Sequence, residues 1–126
     1  LSRLADHVIS IERIEGLATS ARAALAAAGC ANVTVLLGDG TLGRRSLGPY
    51  DAILVSAVGP AVPKPLLEQL ADGGRLVIPI QRETGQQLVR VTRRGKRFEE
   101  ETLGPAQFVP LVGKHGFVPE SGGGIR

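Results

Sequence analysis

Short runs of Val, Ile and Leu, separated by helix-forming or glycine-rich stretches, most constrain what this chain can fold into. They are Val8 to Glu12 (VISIE), Val33 to Leu37 (VTVLL), Asp51 to Val58 (DAILVSAV) and Arg75 to Ile80 (RLVIPI). A strand that is apolar at nearly every position has two faces to bury, and a parallel sheet covered by helices on both sides meets that need. Between the first two runs, Leu17, Ala21, Ala24, Leu25 and Ala28 recur at helical spacing until Gly29. Between the last two, Pro63 to Leu70 fits a short helix with Leu66, Leu67 and Leu70 on one face, stopped by Asp72-Gly73-Gly74. The alternation predicts an α/β fold built on a mostly parallel sheet.

After residue 80 the rhythm changes. Gln87 to Thr92 and Phe98 to Leu103 flank Arg93-Arg94-Gly95-Lys96-Arg97, the pattern of an antiparallel hairpin with a charged tip. Beyond Phe108-Val109-Pro110-Leu111 the chain runs into Gly113, Gly116 and Gly122 to Gly124 with little left to bury, so residues 114–126 are expected to be a flexible tail. The 126 residues suffice for one domain. With 17 glycines and 8 prolines the chain stays just under the composition at which disorder is the default, and its apolar residues fall in blocks.

Composition also narrows the function classes. No apolar run approaches the ~18 residues of a spanning helix, and the amino terminus lacks a signal-peptide pattern, so a soluble chain with no membrane partner is expected. The single cysteine, Cys30, cannot pair within the chain, which makes the cytoplasm the default. The net charge of +3 comes largely from Arg90, Arg93, Arg94, Lys96 and Arg97. No aromatic residue interleaves that cluster, so a solvated turn is expected there rather than a nucleic-acid surface. His7 and His115 have no Cys, His, Asp or Glu neighbours at ligand spacing, and no metal is expected. Cys30 follows a helix-ending glycine without a partner base and reads as filler.

In a doubly wound sheet, ligands sit beyond the carboxyl ends of the strands. Glu12 ends the first strand, where a carboxylate can accept from both hydroxyls of a ribose; alone, it reads equally as a surface or helix-capping residue. Asp39 lies between Gly38 and Gly40 directly after the second strand, which lets the backbone approach a flat ligand while the carboxylate accepts from an exocyclic amine; the plain alternative is an Asp-Gly turn. On consecutive strand ends, the two acids match how a nucleoside's ribose and base are held side by side. Ser56 stands at a strand end without the G-x-S-x-G surround of a nucleophile, so it can line a site without attacking.

Several segments in order resemble the protein-L-isoaspartate O-methyltransferases. They are Ile11-Glu12-Arg13-Ile14-Glu15-Gly16-Leu17, Gly38-Asp39-Gly40-Thr41-Leu42-Gly43, Pro49-Tyr50-Asp51-Ala52-Ile53-Leu54-Val55-Ser56-Ala57, Leu66-Leu67-Glu68-Gln69-Leu70, Gly73-Gly74-Arg75-Leu76-Val77-Ile78-Pro79, Gln86 with Leu88, and Phe108-Val109-Pro110-Leu111-Val112. The resemblance implies a Rossmann-like class I methyltransferase sheet, mostly parallel with the hairpin as its antiparallel edge. Residues 1–113 would then be the carboxyl-terminal part of a single domain using S-adenosyl-L-methionine. It implies that Glu12 holds the ribose, that Asp39 and Gly40 hold the adenine, and that Val55, Ser56, Ala57, Gly59, Pro60, Val109 and Pro110 line the peptide substrate. The reaction implied is methyl transfer to the carboxylate of L-isoaspartyl residues in damaged proteins, carried out by a monomer.

The resemblance further implies, upstream of the matched part, a segment with a catalytic Ser or Thr and a first strand ending in a Gly-rich loop. The sequence begins at Leu1-Ser2-Arg3-Leu4-Ala5, with neither, so no catalytic residue is assigned within it. That strand would lie mid-sheet, between Val8–Glu12 and Asp51–Val58, and its lack is expected to leave a gap, impaired cofactor binding and little turnover. The readings left open are another class I methyltransferase acting on a small molecule or RNA, and a non-catalytic remnant or binding module.

Overall fold

The computed structural model describes residues 5–118. In chain order the elements are β1 (Val8–Glu12), α1 (Glu15–Ala27), β2 (Val33–Leu37), two 3-10 turns (Gly40–Leu42 and Arg45–Leu47), β3 (Tyr50–Leu54), α2 (Lys64–Glu68), β4 (Leu70–Arg82), β5 (Gly85–Arg94) and β6 (Arg97–Pro105). They form two compact units, Leu1–Gly40 and Thr41–Arg126. Among the described residues no helix is long and apolar enough to cross a membrane.

In the first unit β1 and β2 pair in parallel, from Val8 opposite Val33 to Glu12 opposite Leu37. The crossover helix α1 buries Ala18, where a small side chain permits close packing. The helix ends at Gly29, whose φ of 74° is a left-handed conformation that costs glycine little. From α1, Arg22 donates through Nε and Nη2 to the Val35 carbonyl at 3.1 and 2.9 Å, satisfying a backbone acceptor of β2.

The second unit is a four-stranded sheet in the order β3-β4-β5-β6. β3 pairs with β4 in parallel, and the β4-β5 and β5-β6 pairs are antiparallel, so the expected change to a hairpin after residue 80 is present. Leu76, Ile78 and Ile80 alternate onto one face of β4, Val89 and Val91 join them from β5, and Leu66 and Leu70 close over them to form the core.

Four sequence expectations need correction. β3 ends at Leu54, not Val58, because residues 55–59 leave the regular ladder and share their hydrogen bonds between two neighbours. α2 occupies only Lys64–Glu68 of the expected Pro63 to Leu70. Asp72-Gly73-Gly74 does not stop an element before β4 but lies inside it as an irregularity, where the register jumps from Tyr50–Leu70 to Ala52–Arg75. A Cβ on Gly74 would stand 2.8 Å from the Ala71 carbonyl oxygen and 2.9 Å from that of Tyr50, so only glycine fits. Finally, β3 is not buried on both faces: Asp51, Ala52 and Leu54 are exposed, Leu54 at 58%. β1 and β3 lie in separate sheets.

Past β6, the chain is held through residue 117. Phe117 N–H donates to the Leu111 carbonyl at 2.7 Å, and His115 N–H donates to the buried Thr41 hydroxyl at 3.1 Å. The remainder of the expected tail, residues 119–126, lies outside the described residues.

One buried side chain organises the turns before β3. Gln69 accepts from Arg44 N–H at 2.9 Å and donates to the Leu42 carbonyl at 2.8 Å. Between those residues Gly43 has φ of 63°, and any Cβ there would overlap the Gln69 carboxamide. Tyr50 Oη donates to the Arg44 carbonyl at 2.6 Å. Burial raises the Tyr50 pKa above the ordinary phenol value, and the Arg44 charge offsets part of that rise.

Replacing Gln69 with Leu leaves two backbone groups unpaired and is expected to cost roughly 1–3 kcal/mol in urea unfolding. Tyr50, the single tyrosine of the chain, reports that transition by its fluorescence. Because the folded state holds the phenol proton more tightly, Tyr50 contributes stability that is full below pH ~10 and is lost as pH rises through the raised value. Tyr50→Phe, followed by circular dichroism because it removes the fluorophore, is expected to lack that alkaline decline.

Candidate functional site

On the first unit, the parallel register sets the carboxyl ends of β1 and β2 side by side, and Gly38 N–H extends the pairing to the Glu12 carbonyl at 2.9 Å. Both acids expected to bind a ligand therefore stand at one end of one small sheet. Glu12 is half-buried, and its Oε1 accepts from Ile14 N–H at 3.1 Å, so it also caps the turn leading into α1. That bond fixes the carboxylate while leaving its other oxygen without a partner among the described residues. Asp39 is half-buried between its two glycines. A Cβ on Gly40 would meet nothing within 4 Å, so the space beside this backbone is open to a flat group.

Sequence reasoning passed over two apolar neighbours of these acids. Leu37, opposite Glu12 in the register, is 46% exposed, and Ile14 is 41% exposed. Apolar surface beside a fixed carboxylate suits a ligand with one flat apolar part and one polyhydroxyl part. A run of apolar residues ending at a strand terminus was the signal available, and it reads as core. A hollow of about 370 Å³ elsewhere on this unit is lined by Arg22, Leu25, Cys30 and Val33 among others. It lies toward the amino-terminal end of β2, opposite the end that carries Asp39.

On the second unit, the residues expected to line a substrate also come together. Val55 N–H donates to the Val77 carbonyl at 2.9 Å, keeping the chain beside β4 after β3 ends. Val58 then donates to the Val109 carbonyl and accepts from Leu111 N–H, both at 2.7 Å, as an isolated parallel bridge to Pro110. Gly59 returns to β4, donating to the Pro79 carbonyl and accepting from Gln81 N–H, both at 2.9 Å. A Cβ on Gly59 would stand 3.2 Å from the Ala61 carbonyl oxygen, so a side chain there would require this loop to shift by a few tenths of an ångström. Ser56, Pro60, Val109 and Pro110 are exposed, and Val55 and Ala57 are half-buried.

A residue not expected in the site holds the same segment. Gln86, on β5, accepts from Phe108 N–H at 2.7 Å through Oε1 and donates to the Phe108 carbonyl at 3.2 Å through Nε2. Among the described residues no three of His, Cys, Asp and Glu come close enough to hold a metal ion. His7 instead shares a 2.9 Å hydrogen bond with the Thr34 hydroxyl.

The family model described as Protein-L-isoaspartate(D-aspartate) O-methyltransferase (PCMT) matches residues 2–116. A protein-L-isoaspartate O-methyltransferase of Methanoregula boonei is 50% identical over 117 residues, covering 93% of this chain and 54% of the relative. Protein-L-isoaspartate O-methyltransferase 2 of Pelobacter propionicus is 52% identical over 119 residues, with 93% and 53% covered. The chain thus spans about half the length of the curated relatives it matches. A solved protein-L-isoaspartate O-methyltransferase superposes with a TM-score of 0.80 at 26% identity, over 87% of this chain and 35% of that one. A Plasmodium falciparum chain, described as a beta-aspartate methyltransferase in complex with S-adenosyl-L-homocysteine, superposes with a TM-score of 0.74 at 24% identity, over 84% and 52%.

Glutamates of β6 offset part of the basic cluster of the hairpin. Arg90 pairs with Glu101, Arg94 with Glu99 at 3.2 Å, and Arg82 with Glu100 at 3.5 Å. Arg93 turns back to the carbonyls of Leu70 and Gly95. Each pair is exposed and adds little stability, and the three glutamates offset three of the six cationic side chains between Arg82 and Arg97. The chain is expected to show no salt-dependent retention of an oligonucleotide in an anisotropy titration, whereas replacing Glu99, Glu100 and Glu101 with Gln is expected to create one.

Proposed function

This chain belongs to the protein-L-isoaspartate(D-aspartate) O-methyltransferase family, and from that premise we propose that it binds S-adenosyl-L-methionine and takes part in methylating the carboxylate of L-isoaspartyl residues in damaged proteins. The observation that carries the reading is the placement of Glu12 and Asp39-Gly40 at adjacent carboxyl ends of two parallel strands.

The residues present fit that cofactor. Glu12, fixed through one oxygen by Ile14 N–H, offers the other to ribose hydroxyls. Asp39 would accept from the adenine amine, and the open space beside Gly40 admits the ring. Leu37 and Ile14 supply apolar surface next to them. When bound, the cofactor supplies a methyl group on a sulfonium, whose departure leaves a neutral thioether. The acceptor carboxylate is already an anion at pH 7, so no base has to remove a proton, and the chain's task is to align the acceptor and exclude water. We assign that task to Val55, Ser56, Ala57, Gly59, Pro60, Val109 and Pro110, the backbone cluster around Val58. The methyl ester so formed can close to a succinimide with loss of methanol, and water can reopen that ring as normal aspartate, which makes the reaction a repair.

In this reading residues 1–113 are the carboxyl-terminal part of one cofactor-binding domain. A reducing cytoplasm suits a chain whose single cysteine, Cys30, has no second cysteine to pair with.

The test is transfer of labelled methyl to an isoaspartyl peptide, with the aspartyl peptide as control. It compares the chain alone with the chain joined to the amino-terminal portion of the Methanoregula relative. Slow or absent transfer by the chain alone and isoaspartyl-dependent transfer by the joined protein are expected. Equal transfer to both peptides would sink the reading. In the joined protein, Glu12→Gln and Asp39→Ala are each expected to weaken cofactor binding by about tenfold or more, the loss of a charge-assisted hydrogen bond.

A further inference from the structure

We propose that Gln86 is a positioning residue for the acceptor side of this reaction: its carboxamide fixes Phe108, and through it Val109 and Pro110, in the conformation that receives the isoaspartyl peptide. The inference rests on the reading above that Val109 and Pro110 contact that peptide. Gln86 contacts neither substrate nor cofactor in it and acts only through the backbone it holds.

β6 ends at Pro105, after which the chain leaves the ladder. Its first tie is Ala106 N–H to the Gln86 carbonyl at 3.0 Å. The Gln86 side chain then takes over as a substitute strand. Its Oε1 accepts from Phe108 N–H at 2.7 Å and its Nε2 donates to the Phe108 carbonyl at 3.2 Å. Val109 and Leu111 give their backbone groups to Val58 instead. The segment is thus gripped in alternation, with Phe108 by Gln86 and its neighbours by Val58.

Little else holds this segment. Val109 is 66% exposed and Phe108 39%, so burial does not set their positions. Pro110 has no N–H to give. A primary carboxamide alone among side chains matches a peptide unit with one acceptor and one donor in a single plane; Glu keeps only acceptors, and Leu has neither. Surface residues seldom need both, and here both are used on one backbone residue.

The experiment uses the full chain, unaltered and as Gln86→Leu and Gln86→Glu. Amide exchange is followed residue by residue by NMR without ligand. Titrations with an isoaspartyl peptide, its aspartyl counterpart and S-adenosyl-L-homocysteine are run on the same three forms joined to the amino-terminal portion of the Methanoregula relative. In Gln86→Leu, Phe108 N–H is expected to exchange about tenfold faster while Leu76 and Val91 in the core keep their rates. In Gln86→Glu, which keeps the acceptor, a smaller acceleration is expected. Isoaspartyl-peptide affinity is expected to fall about tenfold in Gln86→Leu, with affinity for the homocysteine product unchanged. An unaltered Phe108 exchange rate would overturn the positioning role, as would equal weakening of both ligands together with faster core exchange. Absent or equal binding of the two peptides by the joined protein with Gln86 intact would instead overturn the substrate reading, and the exchange rates, measured without ligand, tell that failure apart.

Discussion

At Val58 and Gly59 the backbone turns its polar groups first to one neighbour and then to another, and the second unit is arranged around that division. Val58 is paired with the segment after β6, and Gly59 with β4. A chain that stayed in regular register with β4 would leave Val109 and Leu111 with nothing to pair with. One that left β4 altogether would strand Pro79 and Gln81. Because a buried peptide group without a partner costs about as much as several well-made surface contacts, the crossover at residues 55–59 is tightly specified. Pro60 then ends it, and the small Gly59 permits the close approach of Ala61 and Leu111.

Much of the fold was legible because most elements obey local rules. β1 and β2 have the bounds that the apolar runs of VISIE and VTVLL predict, and α1 departs from its apolar spacing by only a residue or two. The errors fall where hydrophobicity and hydrogen bonding part company. Val55 to Val58 are apolar and read as strand, yet their partners change along the run. Asp72-Gly73-Gly74 reads as punctuation, yet it is the place where β4 bends past Tyr50, and composition alone does not distinguish a turn from a bulge. Leu54 reads as core because leucine usually is; it lies on the same face of β3 as Ala52, and both are exposed while Ile53 on the other face is half-buried.

The site divides in the same way. Glu12 and Asp39 could be singled out because their chemistry and their place at a strand end are both local, and the structure keeps them at one end of the β1-β2 pair. Val109 and Pro110 entered through family resemblance, with no physical sign of their own. Gln86 was visible only as a matching letter. Its partner is 22 residues away, and nothing about the first of two adjacent glutamines in a largely polar strand reveals that its amide will stand in for a peptide bond. The arginine cluster shows the reverse case, where the sequence displayed the charges and left open the pairing of Arg90 and Arg94 with Glu101 and Glu99 across the hairpin.

The two outer strands of the larger sheet differ in a way that bears on how the chain behaves in crowded solution. β6 is exposed along nearly its whole length but carries three consecutive glutamates, each held against an arginine, so a second copy approaching that border would have to desolvate charged side chains. β3 offers Ala52 and Leu54 to solvent with only Asp51 as a charge in the strand. Self-association of this chain therefore has one sticky border and one repellent border, and clumping at high concentration would begin at β3.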